Sequence, residues 1–378
     1  MSIKAETSFS LKDQLFNPET VGRLSSALQR AYRTFDGDGF TRDVLLRFPE
    51  LELKERIGWM VDCLEPRLPS PFPASVAVLG RALPPPLDPA LRDDDFGEFI
   101  WVVPGEYVAR HGCTADRLDR SLGFLRKATK RFSSENAIRP FLRAFPSETM
   151  AFVHDCATDD NYHVRRLASE GIRPFLPWAE RVRLDPGEIV AVLDRLYGDG
   201  TRYVTRSVAN TMNDISRVDP GLVLRTLRRW RREKRQEPAE LDWMTRHALR
   251  TLLKADDPDV LGLLGYTVNP KFRLSGLATT DRVRVGEAFR WRCTLTSLAD
   301  QKLRVLLRIH FLKSNGKHSA KTFLVKDAEF GKGEKVAIDK RQVFKPMTTR
   351  VLYPGTHHAE LVVNGIGRQK RAFEVDAG

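Results

Sequence analysis

The sequence has little cysteine, four in 378 residues, and Cys63, Cys113, Cys156 and Cys293 are scattered along it. There is no CxxC pair, and no histidine stands at the spacing of a zinc motif, so neither a metal finger nor a disulfide framework is expected. A reducing compartment fits best. No segment approaches the roughly 18 uninterrupted apolar residues of a membrane span, and Met1 to Ser10 lacks the apolar centre of a secretion signal. A cytoplasmic protein with no membrane partner is the expectation.

Positive charge is not scarce: the formal net charge is +13. Residues 270–378 hold 22 Lys/Arg against 10 Asp/Glu, and residues 121–254 hold 25 against 17. Such concentration suits regions that face a polyanion. By charge alone, a generally basic cytosolic protein fits equally well.

Two patterns divide the chain. Over residues 11–265 apolar residues recur every three or four positions, as in Val21, Leu24 and Leu28 or Ile189, Val192, Leu193 and Leu196, which predicts helices. Asn17-Pro18, Asp185-Pro186 and Asp219-Pro220 each set a capping side chain before a first-turn proline. The proline-rich stretch Leu83 to Pro89 must be a loop. After about residue 270 the pattern alternates, as in Phe289-Arg290-Trp291-Arg292-Cys293, between turn signals such as Asn315-Gly316 and Asn364-Gly365. About seven short strands predict an immunoglobulin-like sandwich. The expected domains are 1–268, all helical, and 269–378, all strand.

Within the helical part, Arg131, Arg166, Arg206 and Arg246 mark four related segments, and Ile138-Arg139-Pro140-Phe141-Leu142 reappears as Ile172-Arg173-Pro174-Phe175-Leu176. Periods of this size in helical pairs predict a HEAT-like solenoid. Four residues after the reference arginines stand Glu135, Glu170, Asn210 and Arg250, with Asp214 one turn beyond Asn210. On helices these share a face, so Glu135, Glu170 and Asp214 are expected to converge. Spacing alone favours a structural reading, because the same residues form i,i+4 ion pairs.

The resemblance is to the AlkC family of DNA glycosylases. It is carried by Phe132-Ser133-Ser134-Glu135-Asn136, Val164-Arg165-Arg166-Leu167-Ala168-Ser169-Glu170-Gly171, Leu176-Pro177-Trp178, Arg206 to Ile215 and Arg246 to Ala255, then Pro346 to Arg350 with Tyr353-Pro354-Gly355. Asn136 departs from a pattern that has an aromatic there. The resemblance implies release of N3-alkylated adenine, with N3-alkylated cytosine as a second substrate, from duplex DNA and without flipping the base into a deep pocket. It implies Glu170 and Asp214 as catalytic carboxylates with Glu135 in support, no cofactor, no metal, and a monomer at the bacterial nucleoid.

The chemistry agrees. A cationic base leaves without a general acid, and carboxylates stabilise the charge that develops on the sugar. Expected DNA contacts are Lys130, Arg131, Arg165, Arg166, Arg173, Arg206, Arg246, Arg250, Trp178, Arg350 and Tyr353. The run Arg225 to Arg235 is either a phosphate-contacting edge or solvated surface. The sandwich is expected to clamp the duplex. The other functional class is a non-catalytic repeat scaffold that binds DNA or a protein.

Overall fold

A computed structural model describes residues 10–90, 96–345 and 351–376. The chain parts between Ala248 and Leu249 into two compact units. The short helix Pro258–Leu263 groups with the strands that follow it rather than with the helices before it. Arg304 Nη1 reaches Asp256 Oδ1 at 3.2 Å and Arg308 Nη2 reaches Asp256 Oδ2 at 2.7 Å, while the Asn364 amide donates to the Thr267 carbonyl at 2.9 Å. These bonds tie the segment to the sheet.

Helices of the first unit begin where capping chemistry places them. Asn17 accepts from the Glu19 and Thr20 amides, Asp185 from Gly187 and Glu188, and Asp219 from Leu222, each with proline in the first turn. From residue 146 onward the helices run in pairs: Pro146–Cys156 with Tyr162–Glu170, Pro186–Leu196 with Arg202–Ile215, Pro220–Glu233 with Pro238–Ala248. The second members pack side by side in order. This is a HEAT-like helical repeat, and it lays Arg166, Arg206 and Arg246 along one row of helices. The middle helix is buried from Tyr203 to Ile215 apart from Arg206 and Asn210, because a neighbour covers it on each side.

The first repeat departs from the expected helix. Residues 131–138 form turns, and helix resumes only at Arg139–Ala144. Ser134 draws the chain away from helix, its hydroxyl donating to the Leu125 carbonyl at 3.2 Å and its amide to Thr129 at 3.3 Å. Such bonds compete with the helical ladder. Arg131 and Glu135 therefore share no helical face.

The second unit is the expected sandwich. Its strands are β1 (Phe272–Thr279), β2 (Arg282–Arg284), β3 (Ala288–Ser297), β4 (Gln301–Leu312), β5 (His318–Phe330), β6 (Lys335–Val343), β7 (Gly355–Val363) and β8 (Ile366–Asp376). One sheet has the order β1-β3-β6, the other β2-β8-β7-β4-β5, with β2 and β8 parallel and the other pairs antiparallel. Alternate residues of β3 (Phe289, Trp291, Cys293, Leu295) meet Leu303, Val305, Leu307, Ile309 and Phe311 of β4 in the core. Period-two side-chain placement produces this face. Cys293 is buried there as a free thiol, where burial pushes its pKa up. It acts as a small apolar filler.

Candidate active site

Three carboxylates from successive repeats lie along one strip, joined by two guanidiniums. Glu170 ends the Tyr162–Glu170 helix, Asp214 lies in the last turn of Arg202–Ile215, and Glu135 sits in the turn before Arg139. Arg166 Nη1 donates to Glu135 Oε2 at 2.6 Å, and its Nη2 lies 3.7 Å from Glu170 Oε2. Arg173 Nη1 donates to Glu170 Oε1 at 2.6 Å, while its Nε and Nη2 reach Asp214 Oδ2 and Oδ1 at 3.0 and 3.3 Å. The Phe175 amide adds a 3.2 Å bond to Asp214 Oδ2, and Ser133 Oγ donates to Glu135 Oε2 at 2.8 Å. The i,i+4 pair of Glu135 with Arg131 that spacing offers gives way to a pair with Arg166 of the next repeat.

Glu170 and Asp214 are 4% and 1% exposed, and both sit at helix C-termini, where the macrodipole disfavours negative charge. Burial pushes the Glu170 carboxyl upward, but Arg166 and Arg173 overcome it, with help from Ser207, and hold it below its ordinary value. Burial works against Arg166 as well, and Glu135 and Glu170 keep it firmly protonated. Its guanidinium lies 4.6 Å above the Tyr203 ring, a cation–π placement. Glu170 is thus held ionised in a desolvated place between two guanidiniums.

The backbone under these acids is fixed from behind. Arg139, only 2% exposed, donates to the Gly171, Arg173 and Glu180 carbonyls at 2.9, 3.1 and 2.6 Å. Burial and the nearby Arg173 hold its pKa down to about 10. Gly171 allows the turn to press against the preceding repeat: a Cβ there would lie 2.8 Å from Ile138 Cγ2 and 3.0 Å from the Leu167 carbonyl. The Ser169 and Thr211 hydroxyls meet at 3.1 Å and join the two acid-bearing helices.

The expected DNA contacts fall into distinct places. Arg131 is buried, donating to the Pro84 and Lys127 carbonyls at 2.7 and 2.9 Å. Arg165 holds Asp199 at 2.5 Å and the Asp159 and Asp160 carbonyls at 2.9 Å. Arg166 and Arg173 are the counter-ions of the acids. Lys130, Arg206 and Arg246 are partly exposed. Trp178 is 71% exposed at a positive φ of 60°, whereas Trp243 stacks on His247 beneath Arg202. Arg250 and Tyr353 belong to the second unit, and Arg350 lies outside the described residues. In the Arg225–Arg235 run, Arg229 pairs with Asp194 and Arg231 with Asp242.

Sequence reading did not single out Ser133, Ser207, Tyr203 or the structural part played by Arg139 and Arg173. The repeated Ile-Arg-Pro-Phe-Leu carried that signal, since both of its arginines prove to be buried. Among the described residues, no three His, Cys, Asp or Glu side chains are grouped to hold a metal ion, and no helix is long and apolar enough to cross a membrane.

Residues 274–377 match the family described as the C-terminal Ig-like domain of the uncharacterised protein YhaZ. The uncharacterized protein YhaZ of Bacillus subtilis (strain 168) is 30% identical over 367 residues, covering 96% of this chain and 98% of that protein. A solved structure of the Pseudomonas fluorescens alkylpurine DNA glycosylase AlkC, bound to DNA containing an abasic site analog, is 33% identical. It covers 98% of this chain and 100% of its own, with a TM-score of 0.84. With a common fold from the first helices to the last strand, this chain belongs to the AlkC family.

Proposed function

We propose that the chain is a monofunctional DNA glycosylase that hydrolyses the N-glycosidic bond of N3-alkylated bases, 3-methyladenine and 3-methylcytosine, in duplex DNA. The observation that supports this reading is the convergence of Glu135, Glu170 and Asp214 on one strip, with Glu170 held ionised by Arg166 and Arg173. An N3-alkylated base is cationic, so its departure needs no acid. The sugar left behind acquires oxocarbenium character, and preorganised carboxylates in a water-poor wall stabilise it. Asp214 or Glu170 then orients or deprotonates the attacking water. The strip lies in a wall of helices, which suits attack on an accessible sugar without deep base flipping.

Lys130, Arg206, Arg246 and Trp178 are the residues of the helical unit proposed to meet DNA. The sandwich, with its excess of basic residues, is proposed to add sequence-independent affinity through Tyr353 and its neighbours. A monomer in the cytoplasm suffices for this reaction, and it calls for no cofactor.

The scaffold reading rests on one observation: the Arg166–Glu135 and Arg173–Asp214 pairs each join neighbouring repeats. Base release from methylated DNA separates the two. The glycosylase reading expects wild-type protein to liberate 3-methyladenine and a Glu170→Gln/Asp214→Asn double variant to lose that activity while still binding DNA with an abasic-site analogue. No release by either protein would favour the scaffold.

A further inference from the structure

Asp214 is joined to a surface feature that the proposed hydrolysis leaves unused. The Phe175 amide that bonds its Oδ2 at 3.2 Å belongs to a residue whose ring is only half-buried. Phe141, at the same place in the preceding Ile-Arg-Pro-Phe-Leu segment, is fully buried. Two guanidiniums stand over the Phe175 ring, Arg181 with its Cζ 5.2 Å from the centroid and Arg217 at 5.4 Å. Both arginines are exposed, and among the described residues neither guanidinium has a carboxylate or carbonyl partner. The acids near them in sequence are occupied: Glu180 pairs with Arg143, Asp185 caps the Pro186–Leu196 helix, and Asp219 caps Pro220–Glu233.

This sets the two apart from the other arginines of the repeats. Arg165, Arg202 and Arg229 hold Asp199, Glu240 and Asp194. Arg166 and Arg173 are the counter-ions of the acids, and Arg139 faces backbone carbonyls. A DNA strand whose sugar reaches Asp214 must bring its phosphates past three carboxylates whose counter-ions are already engaged. The cations that meet those phosphates therefore have to come from outside the strip. A guanidinium laid over an aromatic ring gains cation–π attraction while the N–H fork in its own plane stays open, and that fork matches phosphate oxygens. The placement is fixed at both ends. Phe175 is tied to Asp214, and the residue before Arg181 is tied by the Glu180 carbonyl, which accepts from Arg139 Nε at 2.6 Å.

We propose that Arg181 and Arg217, seated on Phe175, form a phosphate fork that grips the DNA backbone next to the lesion and so sets the lesion's sugar against Asp214. This rests on the glycosylase reading. The role is one of binding and positioning, since neither arginine reaches the bond that breaks.

The test uses the full chain and duplex DNA holding an abasic-site analogue. One duplex has every linkage charged; in two others the linkage on the 5′ or the 3′ side of the analogue is an uncharged methylphosphonate. Wild-type affinity is expected to fall about tenfold with one of the two neutral linkages, the loss of a charge-assisted hydrogen bond. The Arg181→Ala/Arg217→Ala double variant is expected to bind the charged duplex at least about tenfold more weakly, with a salt slope shallower by about 2. It is also expected to be indifferent to that same linkage. Arg181→Lys/Arg217→Lys keeps both charges and is expected to keep the slope, which separates lost charge from a disturbed fold. If the double alanine variant matches wild type in affinity and slope, or loses affinity equally on all three duplexes, the fork is overturned; the glycosylase reading then stands wherever wild-type protein releases alkylated bases. Wild-type protein that binds this DNA but releases no alkylated base would sink the glycosylase reading, and the role of the fork with it.

Discussion

Arg173 Nε lies 3.0 Å from Asp214 Oδ2, and another nitrogen of the same guanidinium lies 2.6 Å from Glu170 Oε1. One planar cation thus holds two buried carboxylates from neighbouring repeats. A point charge cannot reproduce that fork. Arg173→Ala would leave both acids buried without their shared counter-ion and is expected to cost about 3–5 kcal/mol, read as a fall in the urea midpoint. Arg173→Lys keeps the charge but reaches one acid at a time. It is expected to retain most of the stability and lose at least about tenfold in base release, one hydrogen bond's worth of positioning.

The same pairing sets the response to acid. Glu170 is held below its ordinary value of 4.5 because Arg166 and Arg173 outweigh its burial. A carboxylate with a depressed folded pKa contributes stability that is complete above the unfolded value and is lost as pH falls through the folded one. The stability difference between wild type and Glu170→Gln is therefore expected to be constant above pH 4.5 and to shrink only below it. Denaturation across pH 3 to 8, a range of about that width around the carboxylate values, reads this directly. A difference that fades near pH 6 would contradict the pairing.

Much of this site is legible in the sequence because two of the three acids obey helical spacing. Arg166 and Glu170 are four apart on one helix and lie 3.7 Å from each other, and Asp214 follows Asn210 by one turn on the next. Glu135 was also placed on the strip, but not for the reason that spacing offered. It stands in a turn stabilised by Ser134, where hydroxyl bonds outcompete the ladder, a choice that periodicity does not register. Buried arginines were the harder part. Arg139 and Arg173 have the composition of a DNA-binding surface, and only tertiary packing turns their donors inward to carbonyls and carboxylates. The sandwich was readable because strict alternation in β3 leaves a single choice of inner face. The strand Phe272–Thr279, broken by Gly276, alternates too weakly to be seen.

The close approach at Gly171 gives a prediction that separates packing from charge. Alanine there would set Cβ 2.8 Å from Ile138 Cγ2 and 3.0 Å from the Leu167 carbonyl, so the turn must retreat. Overpacking of this kind costs about 1–3 kcal/mol. Because the same turn carries Glu170 and Arg173, Gly171→Ala is expected to lower kcat for base release more than it weakens binding to abasic DNA. Pairing it with Ile138→Ala, which removes the Cγ2 methyl that the new Cβ meets, is expected to cost less than the two single losses together. Additive losses would show that the two positions do not interact.

Glu106 should behave in the opposite way to Glu170. Burial raises its pKa above the ordinary 4.5, with Arg110 and Lys54 only partly offsetting it. The folded state therefore prefers the protonated acid, and the cost of keeping the charge is present at neutral pH and absent once the pH falls below 4.5. Glu106→Gln is expected to stabilise the protein by roughly 1 kcal/mol at pH 8, the size of gain typical of a single stabilising substitution, and by nothing near pH 4. A residue retained for packing alone would lose stability on substitution at both pH values.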